Sequence, residues 1–365
     1  MIFCIVFSVV LVFFSFLTRR TFKYSLELVF ALITLFLALR YNWGNDYLNY
    51  LRMFESFSNS SVSIFDYDGI LSLRERGEVG WTFINLLCRP IGFFGMVAIL
   101  TLFECCVIYR FIKYNVNKDD YWFAIFIFLF CADYFMIGAS MMRQWLAICI
   151  FILAIPNITE RRPIRYILLI LIMSSIHTSA LILLPLYLLT YIQNIKLNNV
   201  AFVIILVFVY IIWVFVGPFI FRGALSFLFT YDEFGEYSDY LTDSGSGVST
   251  GFGVLFKTLF AIILMTRINE LNPHMRTMLL IYFISIFLLP LASTVPMIGR
   301  IGMYNTALSI ALFPAVLKLF KRDIATLMKI VWILWLLFTY YGFWTAPTWV
   351  NSFREYKTIF SLPWI

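Results

Sequence analysis

Charge is scarce in this chain. Of 365 residues only 13% are Asp, Glu, Lys or Arg, and histidine occurs twice, as His177 and His274. A soluble protein carries about a quarter of its residues as charges. With so few, a water-soluble globule of this length could not cover its surface, so two or three soluble domains are excluded. Disorder is excluded more firmly, because disordered chains are polar and poor in aromatics, whereas 62% of this chain is hydrophobic and 20% aromatic. No CxxC pair and no Cys/His metal spacing occurs. The cysteines Cys4, Cys88, Cys105, Cys106, Cys131 and Cys149 all lie in or beside apolar runs and read as small buried hydrophobes. A phosphate-cradling Walker loop is missing, as are the alternating ten-residue strands of an outer-membrane barrel. Asp66-Tyr67-Asp68 spells a metal–nucleotide pair but falls in an expected outer loop and is read as coincidence.

What is present is a series of long apolar runs, near 2–17, 22–39, 92–112, 121–137, 139–156, 164–176, 178–192, 200–220, 251–267, 276–292, 298–317 and 325–343. A helix needs about 20 apolar residues to cross a bilayer. The runs therefore predict an all-α, polytopic membrane protein of about 12 transmembrane helices, with residues 1–365 as a single integral membrane domain. The stretch 164–192 reads as two spans, or as one span and a re-entrant piece. The first run has neither a basic start nor a small-residue cleavage site, so it is expected to be retained as a span.

The net charge of +7 is a topology signal rather than a nucleic-acid footprint. Arg19, Arg20 and Lys23 follow the first run and place that turn in the cytoplasm. Alternation then assigns 110–120, 157–165, 193–199, 267–277 and 318–329 to the same side, and these links together with the first turn, 18–24, hold 16 of the 27 lysines and arginines. The outer side receives larger, more acidic loops at about 40–80 and 221–250, and the tail after Trp344. Within the second loop, the small polar run 242–253 is expected to be mobile.

Ionisable residues meet the expected outer membrane edge at five places: Arg40 with Asp46, Asp133, Arg143, His177 and Arg300. Such groups are costly inside a span and mark functional sites by default. In RYNWGNDYLNY (40–50), Arg40 can fork onto a phosphate, Gly44 permits a close backbone approach, and Asp46 can bind a hydroxyl or a proton. An aromatic belt with an arginine anchor is the plainer reading. Asp133 and Arg143 flank an expected turn near Gly138 and could meet as a structural ion pair, or Arg143, beside Gln144, could hold an anion. His177 lies among hydroxyls at a helix break and titrates near neutral pH, as a general base should. A lone histidine can equally be hydrogen-bonded in place. Arg300 shares a helix face with Tyr304, and either snorkels or serves the site. Glu104 lies deep in its run with no evident partner.

The ordered set of short motifs resembles the EpsG-type polysaccharide polymerases of the Wzy group. RYNWGNDYLNY is similar to the family's Arg-x-x-x-Gly-x-Asp-x-x-x-Tyr opening, and Glu78-x-Gly80-Trp81 to its acidic-glycine helix start. MRQWLA (142–147), HTSALILLPLY (177–187), Arg300 to Tyr304 and Tyr356-Lys357-x-x-Phe360 follow in the family's order, while nothing in 200–295 is recognisable.

The resemblance implies a GT-C-like helical glycosyltransferase in the bacterial inner membrane. It would join undecaprenyl-diphosphate-linked oligosaccharide repeat units at the periplasmic face, for O-antigen, capsule or exopolysaccharide. It implies His177 and Asp46 as catalytic candidates, with His177 the preferred base, and Arg40, Arg143 and Arg300 on the leaving diphosphate. Gly44, Tyr50, Glu78, Gln144 and Tyr304 would surround the sugars. No metal, cofactor or nucleic acid is expected, and the candidate partners are the bilayer, a chain-length regulator and a flippase of the same pathway. The rival readings are a lipid-linked oligosaccharide flippase, an O-antigen ligase and a membrane acyltransferase. The last is disfavoured because His177 has no acid adjacent in sequence.

Overall fold

A computed structural model of the chain describes residues 1–73, 78–195, 251–291 and 302–361, with isolated positions between 204 and 216. Its helices follow the apolar runs. The first are α1 (Ile2–Thr18), α2 (Ser25–Ala38), α3 (Tyr47–Ser58), α4 (Tyr67–Leu73), α5 (Val79–Leu87) and α6 (Gly92–Asn115). Next come α7 (Tyr121–Phe130), α8 (Ala132–Ser140), α9 (Met142–Ala154), α10 (Pro156–Thr159) and α11 (Pro163–Ile176). A 3-10 segment over Thr178–Tyr191 follows. The later helices are α12 (Phe252–Met265), α13 (Pro273–Leu288), α14 (Ser309–Leu317), α15 (Arg322–Thr345) and α16 (Pro347–Phe353). Prolines open α10, α11, α13 and α16, where a missing N–H costs nothing. The Asn272 side chain caps α13 by accepting from the Met275 N–H at 2.9 Å.

The side chains sort as lipid requires. On α1, Ser8 and Ser15 are buried at 0% and 1% exposure while Val10 and Phe13 stand 56% and 59% exposed. On α15, Leu334 and Phe338 are 60% and 65% exposed. Small residues inside and large apolar residues outside is the pattern of helices packed within hydrocarbon.

Among the described residues three helices are long and apolar enough to cross a membrane: Arg89–Asn115, Met142–Thr159 and Arg322–Thr345. A fourth appears if Lys118–Phe130 and Ala132–Ser140, bent by 50°, count as one span. Seven shorter apolar helices of 10–17 residues accompany them. The expected total of about 12 is therefore not reached by length. A 14-residue α-helix such as α2 or α11 covers only about 21 Å at 1.5 Å per residue, against a hydrocarbon core of about 30 Å. The breaks at Cys131, Met141 and His177 cut the apolar runs into these shorter pieces. The outer loop at 221–250 and most of the span expected at 200–220 lie outside the described residues.

The chain divides into two compact units, one of Met1–Ala154, Pro163–Leu184 and Ile310–Ile365, the other of Ile155–Arg162 and Pro185–Ser309. In the first, α2 packs on α6, α1 on α7, and α11 on both α9 and α5. In the second, α13 packs on α12 and α10, and the Thr190 hydroxyl donates to the Ile158 carbonyl at 2.7 Å.

The ion pairs of the first unit gather towards its two ends. At one end Asp120 faces Lys318 at 3.3 Å and Lys329 at 2.5 Å, and Glu27 meets Lys113 at 2.8 Å. The basic stretches 110–120 and 318–329, expected on one side of the membrane, thus come together there. At the other end the turn after α2 is clamped by the C-terminal tail. A two-residue strand β1 (Arg40–Tyr41) pairs antiparallel with β2 (Lys357–Thr358), Arg40 opposite Thr358. Trp43 is wholly buried among Phe36, Phe135, Phe353 and Tyr356, with ring centroids 5.0–6.1 Å away.

Gly44 turns this corner at φ +116°, and a Cβ there would lie 2.8 Å from the Ser140 Cβ on α8. Gly44→Ala should therefore destabilise the protein by about 1–3 kcal/mol, through backbone strain and overlap. The expected readout is a lower melting midpoint in detergent. Gly342→Ala, where a Cβ meets nothing within 4 Å of a helical position, should leave the midpoint unchanged or raise it.

Candidate active site

Three helix ends meet at one carboxylate. Glu78 sits at the N-cap of α5, Arg143 in the first turn of α9, and His177 at the break between α11 and the 3-10 segment. Helix packing makes the meeting possible. A Cβ on Gly80 would lie 2.3 Å from the Ser175 hydroxyl oxygen, so only glycine lets α5 approach α11 this closely.

The Glu78 carboxylate uses both oxygens. Oε2 accepts from the Arg143 guanidinium. Oε1 lies 2.9 Å from His177 Nδ1 and accepts the Thr178 backbone N–H at 3.3 Å, at the start of the 3-10 segment. The Glu78 side chain is 3% exposed, whereas Arg143 and His177 keep 15% and 18%. A carboxylate buried alone would be prohibitively costly, and here a cation and directed donors offset that cost. An ionised carboxylate only accepts hydrogen bonds, so Nδ1 carries the proton in this contact, and in the neutral imidazole Nε2 has the lone pair. His177 Nδ1 and the Arg143 guanidinium are thereby turned onto one carboxylate that is itself almost wholly buried.

Several expectations change in this light. The ion pair of Arg143 is with Glu78 rather than with Asp133, because α8 and α9 meet at a break at Met141 and not in a symmetrical hairpin about Gly138. The acid that His177 lacks nearby in sequence is supplied by Glu78, from 99 positions earlier. Glu78, expected among sugar contacts, is instead the buried centre of the cluster. Tyr50 is also buried. Its ring lies 5.6 Å from the Arg143 guanidinium and 5.4 Å from Trp81, so it positions the cation instead of offering a face to a sugar. Gly44 brings backbone close to Ser140, not to an open ligand site.

Arg40 does not stand at an open helix end. It is 3% exposed, and its guanidinium donates to the carbonyls of Leu37 and Ala139 and, at 3.0 Å, to the Thr101 hydroxyl. It fastens α2, α6 and α8 together. Sequence reading missed this role, because two of the three partners are backbone carbonyls.

Asp46 occupies the N-cap position of α3 without a side-chain capping bond and is partly exposed. Its backbone N–H donates to the Ser140 hydroxyl at 3.2 Å, and its charge, with that of Arg143, acts on the Tyr50 hydroxyl. It is therefore an electrostatic neighbour of the cluster. Gln144 is buried beside Arg143 on α9. Tyr304 is fully buried in the second unit, and Arg300 lies outside the described residues.

The EpsG family model matches residues 23–358, and the chain belongs to the EpsG family. No curated protein and no solved structure matches it. Membership, with the apolar helices, makes this a membrane protein, and the family is associated with polymerase-type activity in polysaccharide biosynthesis.

The cluster makes a thermodynamic prediction. Arg143→Ala strands the buried Glu78 carboxylate and should cost about 3–5 kcal/mol. Adding Glu78→Gln should recover part of that loss, with a coupling of about 1–3 kcal/mol in a double-mutant cycle of melting midpoints. Strict additivity would mean that the pair does not hold the fold.

Proposed function

We propose that this protein polymerises lipid-linked oligosaccharide repeat units, with undecaprenyl diphosphate as the carrier, at the periplasmic face of the bacterial inner membrane. The observation that carries the reading is the Arg143–Glu78–His177 cluster, which holds a base and a cation side by side on one buried acid. In the proposed step a non-reducing-end hydroxyl of the incoming unit attacks the anomeric carbon of the growing chain. His177 Nε2 takes the hydroxyl proton as the new C–O bond forms. The bond from the anomeric carbon to the diphosphate breaks, and its electron pair leaves with the diphosphate.

Charge grows on that leaving group, and a preplaced guanidinium stabilises it most when the charge is largest. Arg143 is assigned this role. Arg300 is assigned to it on the family resemblance alone. Asp46 would bind a sugar hydroxyl or tune the cluster. Arg40 is reassigned from the diphosphate to the scaffold, since its guanidinium is turned to carbonyls and a hydroxyl. The gathering of base and cation at a single end of the first unit supports a reaction at a membrane edge, where lipid tails stay in the bilayer while headgroups react.

The test uses purified full-length protein with lipid-linked repeat units, read as a glycan ladder on a gel. Arg143→Lys keeps the charge for Glu78 and the fold but loses the planar fork, and should slow chain extension about 10²–10³-fold. Wild-type rates in Arg143→Lys and in Arg300→Ala would overturn the diphosphate assignment. For His177→Gln, the rate should fall and the limb of the pH–rate curve set by the base should vanish. An unchanged rate and curve would remove His177 as the base. In cells, deletion of the gene should collapse the ladder to single repeat units accumulating in the periplasm. Retention of those units in the cytoplasm would indicate a flippase instead, and long glycan that never reaches its final acceptor would indicate a ligase.

A further inference from the structure

At the opposite, basic end of the first unit a cavity of about 220 Å³ opens between the α1–α2 turn and the short link before α7. Four cations line it, Arg19, Arg20, Lys23 and Lys118, together with the hydroxyls of Ser25 and Tyr121. Orientation in the membrane explains why lysines and arginines occupy these links. It does not explain why residues from two separate links surround one cavity.

The local geometry holds the space open. The Thr18 and Ser25 hydroxyls lie 2.8 Å apart and tie the end of α1 to the start of α2, and residues 19–23 of the turn between them line the cavity. Arg19 is braced on Phe16, stacked 3.9 Å from its ring and donating to its carbonyl at 2.6 Å. Ser25 is the first residue of α2, and Tyr24 before it makes no side-chain cap, so the positive end of that helix adjoins the cations.

The nearby acids do not neutralise the site. Asp119 lies 3.8 Å from Arg20, with both side chains largely exposed, and Glu27 is engaged by Lys113 and by Tyr109 at 2.9 Å. Among the described residues no carboxylate pairs with Arg19, Lys23 or Lys118. The positive excess, carried by guanidinium and ammonium donors, selects an anion with several acceptor oxygens. The volume is roughly seven times the ~30 Å³ that a water occupies in the liquid, room for a phosphate with its ester substituents.

We propose that this cavity is a binding site for a phosphate group, separate from the Arg143–Glu78–His177 cluster and independent of the polymerase reading. An anionic phospholipid headgroup at this membrane edge and a soluble phosphate both carry the required chemistry. The experiment separates them.

Purified full-length protein in neutral detergent is titrated with phosphatidylglycerol, with phosphatidylcholine and with inorganic phosphate, and the melting midpoint is followed. Detergent removes membrane topology from the comparison. The expected result is saturable stabilisation by phosphatidylglycerol or inorganic phosphate and none by phosphatidylcholine. The probe that saturates at the lower concentration identifies the source. The Lys23→Gln/Lys118→Gln variant changes two exposed side chains and should need at least tenfold more of that probe. Lys321→Gln/Arg322→Gln neutralises an equally basic link that does not line the cavity, and should titrate like the wild type. Equal weakening in both double variants would show diffuse attraction to positive charge and overturn the proposal. So would an unchanged titration of Lys23→Gln/Lys118→Gln, or the absence of a saturable shift in the wild type.

Discussion

A carboxylate taken out of water has to be satisfied where it stands, and much of one end of the first unit is arranged around satisfying Glu78. Its two oxygens need a guanidinium, an imidazole N–H and a backbone N–H from chain stretches far apart in sequence. Each donor imposes a structural condition. Arg143 reaches Glu78 only because α9 starts afresh after the break at Met141. The Thr178 N–H is available only because α11 stops at Ile176. α5 brings Glu78 into range only because Gly80 has no side chain to strike Ser175. The broken helices and the close contact are thus parts of one electrostatic solution.

Beside this cluster stands a scaffold of a different kind. Arg40 joins three helices through carbonyls and a hydroxyl, and the C-terminal strand and the aromatic shell of Trp43 hold the turn that follows it. Nothing in that scaffold is poised for reaction. Its rigidity fixes Ser140, Asp46 and Tyr50 in place, and Tyr50 in turn lies against the Arg143 guanidinium. A fixed frame beside the partly exposed His177 and Arg143 holds both side chains in one geometry.

Much of this was legible in the sequence. Apolar runs named the helices, and three of the six clustered basic links, 18–24, 110–120 and 318–329, meet at one end of the first unit. His177 and Arg143 stood out as ionisable residues at the edges of apolar runs. The partnership of Glu78 with His177 was not legible, because 99 residues separate them and pairing across that distance depends on packing. Arg40 was misread for a related reason. Two of its partners are backbone carbonyls, which carry no side-chain signature in a sequence. Helix lengths were overestimated where polar or strained positions such as His177 interrupt an apolar run without altering its average hydrophobicity.

The 3-10 segment from Thr178 to Tyr191 has a geometric consequence of its own. A 3-10 helix rises about 2.0 Å per residue, against about 1.5 Å in an α-helix. Its 14 residues therefore extend about 28 Å, nearly the thickness of a bilayer's hydrocarbon core. An α-helix would need about 19 residues for the same distance. A winding that is thinner and longer for the same residues turns a stretch counted as too short into one of membrane length.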